Sequence, residues 1–371
     1  MQSKVQEVSR RNFLAQTSYL GAMYAAASMI PLRALAANLE QDARISATPV
    51  VDKGFAAVRK IGNGLYATIS DPSKGLQTMC NGGFLVGKEG AMPIEGYVSA
   101  AGAAFQLETL QSITKVPVKG ALDTHYHFDH TMGNALYGAQ GIPLWAHAAA
   151  AKRMYESYGP WQTMDKAAMT APLEKMIASA KSEAAKKHLQ GDLATFGNFS
   201  DLVKGAQLSL PNHSFDPAML PHKVDLGGLT AVIEHYPGHS GTDLIVRVPE
   251  QNVVYAGDLL FNGIFPVTFD EQATISGWRA TLKTFASWEK DTLFVPGHGQ
   301  LCGQEGVALF RSTFDDIEEQ AMKLYKAGVP AEEAQHQYAI PEKFSKLSTL
   351  AWGFSIGPTI QKMYKEWDAK K

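Results

Sequence analysis

Four stretches of this 371-residue chain place histidine or aspartate at the end of a predicted β-strand. The four stretches are His125–His130, Pro237–His239, Ala256–Asp258 and Pro296–His298. Three of them contain glycine, which lets the backbone bend where a strand ends. Polar sites in α/β proteins collect at such strand ends. We therefore expect a fold that brings four distant strand ends to one shared edge.

The first stretch, H-Y-H-F-D-H, is dense enough to hold more than one ion. In an extended segment alternate side chains share a face, so His125 and His127 can bind the same metal. Asp129 continues this alternation, and His130 lies on the other side as the chain turns. One loop can therefore serve two adjacent metal ions.

The chemistry of the full set points to a two-metal site. It comprises five imidazoles and two carboxylates, from His125, His127, His130, His239, His298, Asp129 and Asp258. Imidazole and carboxylate without thiolate suit zinc, and also iron or manganese. Seven ligands are too many for one tetrahedral ion, but they suit two divalent ions, most simply zinc, that share a carboxylate and a water.

The remaining histidines lack ligand-like partners in the sequence and are predicted to be surface or ordinary hydrogen-bonded residues. They are His147, His188, His213, His222, His235 and His336. His235, four residues before His239, is the one whose position most needs checking. Asp123 precedes the loop and is predicted to support it or to end the strand, without binding metal.

Charge and cysteine content exclude several classes of protein. The formal net charge of −2 shows no basic excess, so nucleic acid is not an expected partner. Two cysteines, Cys80 and Cys302, rule out a disulfide framework and a cysteine-rich zinc module. They either pair in an oxidising compartment or are two buried small hydrophobic residues.

The N-terminus has the parts of an export signal. Arg10 and Arg11 precede a charge-free run over 12–32, and Ala34-Leu35-Ala36 supplies a small-residue cleavage pattern. "SRRNFLA" resembles a twin-arginine signal, so residues 1–36 are predicted to be cleaved after export to the periplasm by that machinery. An uncleaved membrane anchor is the alternative. No other run is long and apolar enough to span a bilayer, so the mature form is predicted to have no membrane span.

The mature chain reads as one α/β domain with additions. Residues 37–54 are a predicted linker, and residues 55–325 alternate short β-runs with helical periods. Ala- and Lys-rich helical segments at about 148–215 are predicted to be an insertion. Residues 326–371 are a predicted C-terminal helical cap.

The motif order H-x-H-x-D-H, PGH, strand-GD and PGHG resembles the metallo-β-lactamase fold family of hydrolases over about residues 55–325. The resemblance implies an αβ/βα sandwich, two β-sheets flanked by helices, with metals at one edge. It assigns one metal to His125, His127 and His239. It assigns the other to Asp129, His130 and His298, with Asp258 bridging. Glu95 in "PIEGY" stands where many members carry a supporting aspartate.

This resemblance implies a hydrolase in which a metal-bridging hydroxide attacks an ester, lactone, thioester or similar bond of a small molecule. Asp129 would then be catalytic as well as a ligand, orienting the nucleophile or passing a proton. "GDLLFNGIFP" at 257–266 most resembles an exported branch linked to quinoprotein systems and described as zinc metallohydrolases.

Three alternatives stay open at this point. A class B β-lactamase would suit the periplasm, but such enzymes generally have Cys or Ser where this chain has Asp258. Some also use lysine at the position of Phe261. A mononuclear iron sulfur dioxygenase-like oxidoreductase would need only a subset of the ligands. A non-catalytic partner in periplasmic cofactor or metal handling would show no turnover.

Overall fold

The computed structural model describes residues 42–162, 166–203 and 207–371, so the predicted export signal lies outside the described residues. Within these ranges thirteen strands form two sheets. The strands are β1 (Val51–Asp52), β2 (Ala56–Gly62), β3 (Leu65–Ser70), β4 (Gly82–Val86), β5 (Ala91–Ile94), β6 (Ala121–Leu122), β7 (Leu144–His147), β8 (His213–Phe215), β9 (His222–Asp225), β10 (Thr230–His235), β11 (Leu244–Val248), β12 (Val253–Asn262) and β13 (Leu293–Gly299).

Ten α-helices accompany the strands in the described part of the chain. They are α1 (Ala100–Ile113), α2 (Phe128–Thr131), α3 (Asn134–Ala139), α4 (Ala150–Tyr158), α5 (Lys166–Ala178), α6 (Glu183–Val203), α7 (Ile275–Phe285), α8 (Gln304–Lys326), α9 (Ala331–Ala334) and α10 (Ile356–Asp368). None of these helices combines the length and apolar character needed to cross a membrane.

Strand directions put the predicted ligand stretches at the same end of the molecule. The first sheet has the order β1 to β8, antiparallel as far as β5 and parallel from β5 to β8. The second has the order β13-β12-β11-β10-β9, with β12 and β13 parallel. Parallel neighbours end at a common edge of their sheet. In the first sheet β6 leads into His125, and in the second sheet β13 places His298 beside Phe261 of β12.

The two sheets pack face to face over an apolar core. Leu85 and Ile94 of the first sheet belong to one buried cluster with Ile233 and Val246 of the second. Alternate residues of a strand point to opposite faces, so each sheet also needs cover on its outer side.

Helices supply that cover on both sides. On the first sheet, Phe105 of α1 packs with Phe84, and Ser99 caps this helix by accepting the amide of Gly102. On the second sheet, Trp278 of α7 and Phe310 of α8 lie in one buried cluster with strand residues. The αβ/βα sandwich expected from the sequence is confirmed.

The segments outside the sandwich are attached to it by specific contacts. Helices α4 to α6 lie in the predicted insertion, and His188 of α6 stacks on Trp352 with ring centroids 3.9 Å apart. In the predicted linker, Val51 pairs with Val58 of β2. The exact domain boundaries stay predictions.

Both cysteines are buried and carry free thiols. Burial as two small residues is thus the outcome, and the alternative of a disulfide between them is not formed. The Cys80 sulfhydryl donates to the carbonyl of Asp129 at 3.1 Å, which places it directly beneath the histidine loop.

Candidate metal centre

All four ligand stretches meet at one edge of the sandwich. The seven predicted site residues are each at most 5% exposed. His125 follows β6, His239 follows β10, and Asp258 and His298 belong to β12 and β13. His130 lies on α2, a single helical turn, so the loop coils after His127 where the sequence suggested continued extension.

The first group of ligand atoms gathers around three histidines and one carboxylate. His125, His127, His239 and Asp258 each offer an atom within 4.8 Å of the others. His127 Nδ1 lies 2.9 Å from His239 Nε2. His239 Nε2 in turn lies 3.3 Å from Asp258 Oδ2. This grouping matches the set assigned to one metal by resemblance.

The second group gathers on the other side of Asp258. His130, Asp258 and His298 offer atoms within 4.8 Å of one another. Asp129 Oδ2 lies 3.2 Å from Nε2 of both His130 and His298. Asp258 Oδ1 lies 3.3 Å from His130 Nε2 and 3.4 Å from His298 Nε2. Asp258 therefore turns one oxygen toward each group.

Five of the converging atoms are left without hydrogen bonds. Within the described structure, the buried side-chain atoms without a hydrogen-bond partner include His125 Nε2, Asp129 Oδ2, His130 Nε2, Asp258 Oδ1 and His298 Nε2. A buried polar atom without a partner costs about 1–3 kcal/mol. Two metal ions would satisfy all five atoms, and imidazole with carboxylate is a donor set that divalent zinc, iron or manganese accepts. These residues fit two ions.

The pKa shifts of the histidines differ between the two groups. Burial lowers the pKa of His239 to about 3, and burial followed by the charges of His130 and His127 holds the pKa of His125 well below its usual value. Burial also acts on His298, but Asp258 and Asp129 outweigh it and raise its pKa to about 9. Burial opposes ionisation of Asp129 too, yet His130 and His298 lower its pKa. The imidazoles of His125 and His239 are therefore neutral, whereas His298 and Asp129 form an ion pair.

Glycine makes the close approach of the strands possible. Gly257 has φ 51°, in the left-handed region that side chains disfavour, and a Cβ there would meet Thr124 Oγ1. A Cβ at Gly297 would collide with Asp258 Oδ1. The glycine of the GD motif thus leaves room for Thr124, and the first glycine of the PGHG motif leaves room for the Asp258 carboxylate.

Glu95 supports the loop, as predicted from "PIEGY". Its Oε1 accepts from Thr124 Oγ1 at 2.6 Å, and its Oε2 accepts from the Thr124 amide at 3.2 Å. The same carboxylate lies 3.1 Å from His130 Nδ1, in ion-pair contact. Thr124 Oγ1 also lies 3.1 Å from His125 Nδ1. One side chain therefore steadies histidines of both groups.

Two supporting residues escaped the sequence reasoning. Asp243 accepts the amides of His239 and Ser240 and so shapes the PGH loop. Asp270 Oδ2 lies 3.1 Å from His127 Nε2. Neither belongs to a ligand motif, and only spatial proximity shows their role.

The residues predicted not to bind metal stay outside both groups. Asp123 accepts from Asn134 Nδ2 at 2.7 Å behind the loop. His235 Nδ1 donates to the Asp243 carbonyl at 2.8 Å. Of the histidines predicted to be ordinary, none joins a potential metal-binding group in the described ranges.

Fold and site together define an αβ/βα protein with a candidate two-metal centre at the sheet edge. The sequence profile of the metallo-beta-lactamase superfamily matches residues 96–298, which span the first ligand to the last. The chain belongs to the metallo-beta-lactamase superfamily.

The curated relatives are themselves uncharacterized and add nothing about activity. Uncharacterized proteins of Mycobacterium bovis and Mycobacterium tuberculosis are 30% identical over 108 residues, 27% of this chain and 47% of theirs. The chain thus matches about half the length of those relatives.

Among solved structures, the stereoselective inverting sec-alkylsulfatase Pisa1 from Pseudomonas sp. is similar, with a TM-score of 0.56 and 14% identity. The similarity covers 98% of this chain and 60% of that one. A double mutant of the same sulfatase gives the same TM-score, covering 97% and 60%. At this identity the similarity shows a shared fold.

Proposed function

We propose that the protein is a binuclear-metal-dependent hydrolase acting on an ester, lactone, thioester or similar bond of a small molecule. The observation that carries the proposal is the arrangement of Asp258. Its two oxygens face two separate sets of histidines, and five of the converging ligand atoms in the described structure are buried without a hydrogen-bond partner. Membership of a superfamily of hydrolase-like fold supports the same reading.

Two bound divalent ions would supply Lewis acidity and a water of lowered pKa at this centre. His125, His127 and His239 would hold one ion, and Asp129, His130 and His298 the other, with Asp258 between them. Zinc is the first choice, with iron or manganese as alternatives. Burial of these side chains excludes bulk water, which strengthens every electrostatic interaction with developing charge.

Asp129 is the proposed catalytic residue as well as a ligand. Its Oδ2 is turned toward His130 and His298, each 3.2 Å away. The carboxylate belongs to the second group of the centre, where it can orient the attacking water or pass on a proton. Its lowered pKa, caused by His130 and His298 against the effect of burial, keeps it ionised, which suits binding a cation and accepting a hydrogen bond from water.

The test is a substrate panel on purified protein whose metal content has been measured. Esters, lactones, thioesters and phosphodiesters form the core of the panel. Alkyl sulfate esters are added because sec-alkylsulfatases share the fold. We expect turnover on one class, lost in Asp258→Ala and retained within a few-fold in His235→Ala. His235 is a matched control because it lies near the site without facing it. Metal-loaded protein inactive on every class would refute the proposal.

The panel also separates the alternatives. Nitrocefin tests the β-lactamase reading, which Asp258 and Phe261 disfavour. One iron per chain, in place of two ions, would indicate the sulfur dioxygenase-like reading. The second set of His130 and His298 argues against that outcome, because a single ion would leave these side chains buried and without a ligand role.

Location and partners form a separate part of the proposal. We propose export across the inner membrane by the twin-arginine machinery and action in the periplasm, on the strength of Arg10, Arg11 and the small-residue site at 34–36. Export of a folded chain would let the protein take up metal before it crosses. Fractionation of cells that produce the full chain tests this, with Arg10→Lys/Arg11→Lys as the variant expected to stay in the cytoplasm.

A further inference from the structure

Asp270 is the most enclosed carboxylate near the metal centre that no ligand motif includes. It is 0% exposed and follows β12 in the loop leading to α7. Its Oδ2 accepts from Tyr126 Oη at 2.7 Å, and its Oδ1 accepts from the Gln272 amide at 2.7 Å. A buried charge persists only when it is paired and hydrogen-bonded in this way.

Two further contacts link Asp270 to opposite sides of the molecule. Toward the centre, Oδ2 lies 3.1 Å from His127 Nε2. Toward the insertion, Oδ1 accepts from Arg153 Nη2 at 3.0 Å. Arg153 belongs to α4, and its guanidinium also lies 4.8 Å from the Tyr126 ring centroid. One carboxylate therefore joins the first helix of the insertion to a ligand histidine.

This contact fixes which nitrogen of His127 faces the ligand group. Nδ1 lies 2.9 Å from His239 Nε2, inside the group, while Nε2 points away to Asp270. A neutral imidazole has one N–H and one lone pair. With the N–H donated to Asp270 from Nε2, the lone pair is at Nδ1, where an ion would need it. Phe269 stacks on the same ring, with centroids 5.0 Å apart, and holds its plane.

We propose that Asp270 is a positioning residue for the metal held by His127, and that Arg153 fixes Asp270 in turn and so couples the helical insertion to that metal. The inference rests on the proposed two-metal centre and extends it to residues outside the ligand motifs. Partners of this kind set ring orientation and ligand basicity.

Metal affinity is the readout that separates positioning from bulk stability. We would load wild-type protein and Asp270→Asn, Asp270→Ala and Arg153→Met variants with zinc and compete the ions with a chelator of known affinity. We expect Asp270→Asn to weaken one of the two ions by about 10- to 100-fold and to leave the other within a few-fold. Asp270→Ala should weaken the same ion at least as much. Arg153→Met should weaken it by less than about 10-fold, because Asp270 remains.

Asp192→Asn is the matched control, since Asp192 is another buried carboxylate but accepts from the Gly353 amide and belongs to neither ligand group. It should leave both affinities unchanged. Unchanged binding of both ions in Asp270→Asn and Asp270→Ala would overturn the proposal. Wild-type protein that binds no metal would instead refute the proposed function, so the two failures are distinguishable.

A measurement on unaltered protein covers the case in which the variants fail to fold. In zinc-loaded protein with nitrogen-15-labelled histidine, His127 should carry its proton on Nε2 and show a metal-bound Nδ1. The resonance is assigned with His127→Asn as reference. A proton on Nδ1, or a metal-bound Nε2, would overturn the proposal without any change at Asp270.

Discussion

Asp258 presents its Oδ1 to His130 Nε2 at 3.3 Å while its other oxygen is turned to the histidines of the opposite group. Both oxygens are thereby committed inside a buried cluster. A carboxylate in this position couples the two groups, because any change to it alters the surroundings of both.

Replacing Asp258 should impair both metal sites together. In Asp258→Asn an amide NH2 group, which cannot coordinate a metal ion, replaces one carboxylate oxygen. Both ions should therefore bind more weakly. Turnover should fall by at least about 100-fold, more than is typical when a supporting residue is replaced. Metal analysis after dialysis, with activity on the substrate found by the panel, measures this. If the variant kept two tightly bound ions, the bridging role would be wrong.

Replacing Glu95 should act on the second group first. Glu95→Gln keeps the size of the side chain but removes the charge 3.1 Å from His130 Nδ1. We expect about 10- to 100-fold weaker binding of one ion. Thr124→Val is the companion variant, since it removes the hydroxyl that donates to Glu95 at 2.6 Å. Chelator competition on both variants is the measurement, and equal affinity to wild type in both would contradict the role assigned to Glu95.

Removing metal should destabilise the fold. Ions that bind only the folded chain stabilise it by about 4 kcal/mol when free metal exceeds the dissociation constant 1,000-fold. Stripping them with a chelator should therefore lower Tm by several degrees. Asp258→Ala should respond much less, because its sites are already weakened. A wild-type Tm that does not move on chelation would show that the centre holds no stabilising ion.

The buried carboxyl of Asp192 should make the stability of the folded protein depend on pH. Burial raises its pKa to about 6, although the amides of Gly353 and Trp352 act in the opposite direction. The folded chain then keeps a proton that the unfolded chain releases near pH 4. The free energy of unfolding therefore falls by about 3 kcal/mol as pH rises from about 4 through 6.

Comparison with Asp192→Asn isolates that contribution. The variant should match wild type near pH 4 and exceed its stability above pH 6, because it has no charge to bury. Urea unfolding at a series of pH values gives the difference directly. A difference that stays constant across the series would mean that Asp192 titrates normally.

The two buried free cysteines should be measurable as thiols only after the protein unfolds. Burial raises the pKa of both Cys80 and Cys302, and neither is more than 1% exposed. Since the thiolate is the reactive form, a thiol reagent should not react with native protein over minutes. Two thiols per chain should appear on unfolding without reductant. A count near zero in the unfolded, unreduced protein would mean that the two cysteines are oxidised.

Local patterning was sufficient for most elements of the sandwich. The alternation of short β-runs and helical periods predicted over residues 55–325 corresponds to strands β2 to β13 and the helices between them. The strand before the histidine loop is short, because only Ala121 and Leu122 pair as β6. The loop then coils as α2, because Thr131 and His130 return hydrogen bonds to His127 that an extended chain could not make.

The sequence by itself determined the set of candidate ligands, since residue type and the strand-end motifs name His125, His127, His239, Asp258 and their companions without any coordinates. The tertiary structure alone decided which atoms face which. The supporting role of Asp270 depends on contacts between segments far apart in the chain, such as the 143-residue separation of His127 and Asp270. Such contacts leave no local periodicity, because they arise only when two sheets and an inserted helix pack against one edge.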